Sequence, residues 1–303
     1  MSIYYINRTS LSYNEFKIGL NRLSDAFKRL FIFLSISSIW VAATGFFATF
    51  IAFELLEITP RVQLCLSVFL MVFGAYNLNK LADMKEDAIN MPERLSLLGG
   101  HKKLVMAYSA IAYAISALLA FLDTPLALPV IFFPLIASLA YSYQIIPGVP
   151  RFKDIPLMKN IFNAFSWAVV CVILPAIYLA SNMEKTFAMV FYFILLKIYI
   201  NAVLFDVRDI EGDKETGAKT LPVLIGARKT IIILLALNCM LLPWLLLADS
   251  SIRLLATILI LYGFAYILYF SKRRNPFAMD FLVDGEWMFI SIALLLSKGF
   301  GLP

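Results

Sequence analysis

A single histidine and three cysteines are all the imidazole and thiol in this 303-residue chain. Cys65, Cys171 and Cys239 lie far apart, each inside an apolar stretch, at no metal-ligand spacing and in no even-numbered framework. They read as small hydrophobes and exclude a disulfide scaffold. His101 stands in a Gly-Gly-His-Lys-Lys turn and reads as solvated. Charge is scarce as well. Asp, Glu, Lys and Arg make up 15% of the residues, against about a quarter in an ordinary soluble domain. Hydrophobic residues make up 61% and the mean hydropathy is +0.84. A soluble fold cannot hide that much apolar surface, so lipid must be the solvent.

What is present is a series of long apolar runs. They predict an all-α integral membrane bundle with spans at about Leu30–Phe53, Val62–Leu78, Leu104–Phe121, Ala127–Tyr143, Asn160–Ala180, Thr186–Phe205, Thr230–Ala248, Ile252–Phe270 and Phe281–Ser297. That is about nine transmembrane helices, assigned to one domain over residues 29–303. Residues 1–28 show no cleavable-signal pattern. Within them Phe16, Leu20, Leu23 and Phe27 recur at helical spacing among Lys17, Arg22 and Lys28, which fits an amphipathic segment on the membrane plane or a plain helical lead-in.

The loops alternate in charge. The groups Arg8–Arg29, Lys80–Lys103, Arg151–Lys159, Arg208–Lys229 and Lys272–Arg274 hold 21 of the 26 lysines and arginines, whereas Arg61, Lys185, Arg253 and Lys298 lie on the other side. The positive-inside rule places the amino terminus and the longer loops in the cytoplasm and the carboxy terminus outside. The net charge of +6 is accounted for by topology, and nucleic acid need not be invoked as a partner.

The longer loops also collect carboxylates. Asn79, Asp83 and Asp87 are spaced four and four, so a helix running inward carries them as one stripe. Like charges at that spacing weaken a helix. A divalent cation offsets the cost, and Mg²⁺ takes a few carboxylate oxygens and completes its shell with water and phosphate oxygens. The second cluster is Asp206-Val-Arg208-Asp209-Ile-Glu-Gly-Asp213, with Asp206 a turn back on nearly the same face. Two acidic faces at one mouth of a bundle suit two Mg²⁺ ions with a diphosphate between them. Arg94, Arg208, Lys219 and the group Arg151, Lys153 and Lys159 offer cations for the remaining phosphate charge.

The Asn-x₃-Asp-x₃-Asp run followed by Asn90, Pro92 and Arg94, with the later Asp-x₃-Asp followed by Gly217-Ala-Lys219-Thr220, resembles the UbiA superfamily of intramembrane prenyltransferases over roughly residues 25–300. The resemblance implies a nine-helix bundle around a central cavity capped by cytoplasmic loops. In it, two Mg²⁺ ions would hold an isoprenyl diphosphate donor and a hydrophobic aromatic or lipid acceptor would attack the allylic carbocation. By the same resemblance Asn79, Asp83 and Asp87 would serve one metal and Asp209 and Asp213 the other, with Arg94, Lys153 and Lys219 facing the diphosphate. Two departures stand out. Leu95-Ser-Leu-Leu-Gly99-Gly100 follows Arg94 where many relatives have a Pro and a Ser-Gly turn, and Tyr143 is ten residues before Lys153 where relatives show Tyr-x₃-Lys.

Bland readings stand beside these. Acidic residues at a helix end are often solvated caps, and Arg94, Lys153 and Lys219 are each explained equally well by the positive-inside signal. Tyr143 and Asn163 line the cavity or, in the aromatic case, anchor the interface. Lys197 and Asn201, one turn apart inside the sixth span, stand out because an ionisable group in a membrane helix is costly. Lys197 binds substrate, snorkels or pairs with a carboxylate. Two other classes compete. A phosphotransferase of the CDP-alcohol type would show Asp-Gly-x₂-Ala-Arg, which this chain lacks, and a cation transporter would place acids near the midplane.

Overall fold

A computed structural model of the chain describes residues 25–82, 101–142, 155–272 and 275–299. The described elements are helical. In chain order they are α1 (Asp25–Ile36), α2 (Ile39–Leu55), α3 (Val62–Ala82), α4 (Lys102–Asp123), α5 (Ala127–Ser142), α6 (Met158–Ala168) and α7 (Glu184–Arg208). After these come α8 (Ile210–Thr216), α9 (Leu221–Ile225), α10 (Ala227–Cys239), α11 (Leu242–Leu247), α12 (Ser250–Phe270) and α13 (Gly285–Gly299). A π turn at Val169–Ile173 prolongs α6, and a second at Asp280–Asp284 leads into α13 from a short helix at Pro276–Met279.

The apolar runs of the sequence are helical where they are described, and by length and composition alone fewer than nine of those helices qualify as spans. Among the described residues six helical stretches are long and apolar enough to cross a bilayer, or seven if the pair α1 and α2 is one span. α5 is a shorter apolar helix, and the segment into α13 carries Asp280, Asp284, Glu286 and Lys298, too much charge to qualify on composition. The run expected as one straight span over Leu30–Phe53 is bent by 76° between α1 and α2.

That bend has an identifiable support. Ser38 takes up a left-handed backbone (φ 67°), and breaking the ladder there strips carbonyls of their helical donors, a cost that must be met inside the membrane. Side chains of α3 meet it. Lys80, itself buried, donates to Ile36 O, and Asn77 Nδ2 donates to Ser37 O at 3.3 Å.

Small and hydroxylic residues bring other helices close. Ser67 of α3 and Ser116 of α4 each donate to the other's carbonyl, at 2.8 and 2.7 Å. Small side chains let backbones approach where lipid supplies no hydrophobic drive between helices. A core of Ile51, Leu55, Phe193, Ile194, Leu259 and Trp287 joins α2, α7, α12 and α13. Large apolar side chains such as Leu122, Leu126, Leu246 and Leu261 face outward, as a lipid solvent allows.

Deep in the bundle a polar knot crosses the core. Lys197 Nζ of α7 donates to Glu286 Oε1 of α13 at 2.6 Å, to Leu259 O at 3.0 Å and to the Tyr266 hydroxyl at 3.2 Å, so all three ammonium protons are engaged. The Tyr266 hydroxyl donates in turn to Asn201 Oδ1 at 2.5 Å. Lys197 and Glu286 are both fully buried. Gly263 makes the room: a Cβ there would stand 2.6 Å from Asn238 Oδ1 and 2.9 Å from Lys197 Nζ.

Candidate active site

The acidic site grows from the end of α7. The helix stops at Arg208, and Asp209 breaks it with φ −94° and ψ 12° before α8 begins. The single unbroken stripe expected for Asp206, Asp209 and Asp213 therefore does not form, although their charges still act on one another. α8 ends at Gly217, whose φ of 77° is the left-handed turn that favours glycine at a helix C-terminus. The turn returns the chain so that the buried Thr220 hydroxyl donates to Asp213 Oδ2 at 3.0 Å. The Gly-Ala-Lys-Thr run thus folds back onto the last carboxylate, with Lys219 exposed beside it.

The three carboxylates have different surroundings. Asp206 turns toward α6, where Asn160 Nδ2 donates to it at 2.5 Å and Lys159 Nζ lies at 3.6 Å. It ties two helices together. Asp209 is gripped on both oxygens by Arg208, Nε to Oδ1 at 2.6 Å and Nη2 to Oδ2 at 2.9 Å. Asp213 is 3% exposed. Among the described residues no group of three or more His, Cys, Asp or Glu is gathered tightly enough to hold a metal.

The donors nonetheless suit a hard divalent cation. Asp209 and Asp213 present carboxylate oxygens, and a buried carboxylate is costly unless a cation or donors satisfy it. Two such groups need further oxygens to complete a ligand set. The expected partners Asp83 and Asp87, with Arg94, Tyr143 and Lys153, lie outside the described residues. So do residues 1–24 of the expected amphipathic segment.

Other expected residues fall in varied places. Asn79 is exposed near the end of α3, and Asn163 is exposed on α6. Lys197 and Asn201 sit in the sealed knot described above, where Lys197 has a carboxylate partner. Arg208 is drawn against Asp209 and also reaches Asp280 Oδ1 at 2.8 Å through Nη1. The sequence reading missed Glu286, Asp280, Asn160 and Thr220. Glu286 had a signal, an acid in a mostly apolar run, by the same argument that singled out Lys197.

An all-helical, multi-pass membrane bundle with paired aspartates at the end of one long helix defines a class of membrane protein built to meet charge at a helix mouth. The chain belongs to the UbiA prenyltransferase family, whose match covers residues 30–293. It is 29% identical over 182 residues to the digeranylgeranylglyceryl phosphate synthase of Pyrococcus furiosus, a match covering 57% of this chain and 61% of that one. The chain thus spans about three fifths of the length of the curated relatives it matches. Its fold resembles a UbiA homolog from Archaeoglobus fulgidus solved bound to GPP and Mg²⁺, with a TM-score of 0.66 and 22% identity, covering 89% of this chain and 98% of that one. A UbiA homolog from Aeropyrum pernix K1 is also similar, with a TM-score of 0.62 and 16% identity, covering 84% and 98%.

Proposed function

We propose that this protein transfers an isoprenyl group from a prenyl diphosphate to an aromatic or lipid acceptor within the membrane. The observation that carries the reading is the Asp209–Asp213 pair at the end of α7, in a chain whose family match spans residues 30–293. Asp209 and Asp213 on one side, and Asn79, Asp83 and Asp87 on the other, would hold two Mg²⁺ ions. When bound, Mg²⁺ supplies Lewis-acid neutralisation of the diphosphate leaving group. Lys219, exposed beside Thr220, together with Arg94 and Lys153, would meet the remaining phosphate charge. The donor's C–O bond breaks with its electron pair leaving on the diphosphate. The apolar bundle keeps water from the allylic cation until the acceptor's nucleophile forms the new bond and releases its proton.

The relatives' name, with two geranylgeranyl groups on a glyceryl phosphate, favours a glyceryl lipid as acceptor over an aromatic ring. The phosphotransferase and transporter readings give way with the family assignment. The charge asymmetry of the loops supports a cytoplasmic mouth and amino terminus and an outside carboxy terminus. The deciding assay incubates the purified protein with Mg²⁺, a radiolabelled prenyl diphosphate series and separate glyceryl-phosphate and aromatic acceptors. Product is expected with the glyceryl lipid and none after chelation. An isoprenoid tail adds apolar burial at about 25 cal/mol per Å², so binding should tighten with tail length until the cavity is full. Absence of any prenylated product across the panel would sink the reading.

A further inference from the structure

Arg208 lies between carboxylates of two different elements. Its Nε and Nη2 occupy both oxygens of Asp209, at 2.6 and 2.9 Å, while Nη1 holds Asp280 Oδ1 at 2.8 Å. The side chain is 7% exposed, and the guanidinium stands 4.8 Å over the Phe205 ring. Asp284 acts on the same guanidinium. Asp280 is fixed from a third direction, since Ser35 Oγ of α1 donates to its Oδ2 at 2.5 Å and Trp40 Nε1 of α2 donates to its carbonyl at 2.8 Å.

Three facts limit what Arg208 can do. A guanidinium does not lose its proton in a protein, so it leaves a site only by moving. A fork on both oxygens of Asp209 takes one lone pair of each and so competes with a divalent cation for the bidentate position on that carboxylate. A single bond to a well-fixed Asp280 holds the other edge of the group, so release from Asp209 leaves it tethered rather than expelled.

We propose, resting on the reading of Asp209 as a metal ligand, that Arg208 is a resident counter-cation competing with the divalent metal for Asp209, and that Asp280 is the positioning residue that retains the displaced guanidinium beside the diphosphate. Arg208 thus fills the role of a cation before loading and of a phosphate partner after it. The two roles predict effects of opposite sign, which a purely structural salt bridge does not.

The test uses detergent-solubilised full-length protein and Mn²⁺ or Mg²⁺ alone, read as titration heat and as metal-induced rise in melting temperature, alongside KM for the prenyl diphosphate. Arg208→Gln, and Arg208→Lys, which keeps the charge without the fork, should bind metal about fivefold more tightly, the low end of ordinary coupling between two binding events. Both should show a raised KM for the diphosphate. Asp280→Asn leaves Arg208 to Asp209 and should weaken metal binding by a similar factor, and Asp280→Glu should restore most of it. Unchanged or weaker metal binding in both Arg208 variants, with the wild type binding metal normally, overturns this inference and leaves the proposed function standing. A wild type that neither binds divalent metal nor transfers prenyl groups overturns both.

Discussion

Asp213 and Asp83 are the side chains on which the chemistry should turn most sharply. Asn in place of either keeps size and removes an anionic oxygen, so turnover should fall by orders of magnitude in the prenyl-transfer assay. Asp249, whose backbone carbonyl accepts from Ile252 and Arg253 at the start of α12, is the matched control, and Asp249→Asn should leave melting temperature and rate near normal. Residues acting on one leaving group behave as a unit, so Asp83→Asn with Asp213→Asn should be little slower than either alone. Full metal-dependent turnover by a folded Asp213→Asn protein would end the two-metal reading. At this scale the sequence was informative where spacing carries the signal. The pair Asp209 and Asp213 follows from residue order, whereas the return of Thr220 to Asp213 through the Gly217 turn was seen only in the fold. Asp280 did not follow either, because it stands just before the apolar run expected from Phe281, and its link to Arg208 spans 72 positions.

Among the helices, α7 is tied by two ion pairs to α13 and the turn that leads into it. Lys197 pairs with Glu286 at mid-length, while Arg208 pairs with Asp280 in the π turn that leads into α13. Removing one member of a buried pair strands a charge in low dielectric, typically at a cost of about 3–5 kcal/mol, whereas replacing both by apolar groups is often near neutral. Lys197→Met should therefore lower the melting temperature strongly in detergent, and Lys197→Met with Glu286→Leu should recover most of it. If the double variant melts no higher than the single, the pair is not what holds α7 to α13. The apolar runs were legible because hydropathy is summed over many residues. The 76° bend between α1 and α2 was not, because its support lies in α3, where Lys80 and Asn77 donate to the freed carbonyls. A run of Ser-Ile-Ser-Ser within an apolar stretch does not by itself announce a break.

For the whole molecule, the reading of sidedness rests on cations, and a reporter protein tests it. A fusion after Phe270 should be cytoplasmic and one after Pro303 should be outside. Both on one side would mean that the segment into α13 does not cross the bilayer, the outcome that its Asp280, Asp284 and Glu286 would make intelligible.

The Lys197–Glu286 pair has a consequence in time. Its members are 89 positions apart, and at about 5–20 residues per second a ribosome needs roughly 4–18 s to travel that far. Through that interval α7 must reside in the bilayer with its ammonium unmatched, at about 2.5–3.5 kcal/mol on insertion scales, carried by the apolar residues around it. A helix made later thus supplies the carboxylate that an earlier one needs, and the contact between α7 and α13 cannot form until Glu286 has been made. A chain halted before Pro276 leaves Lys197 without Glu286, whereas Arg208 loses Asp280 but keeps Asp209.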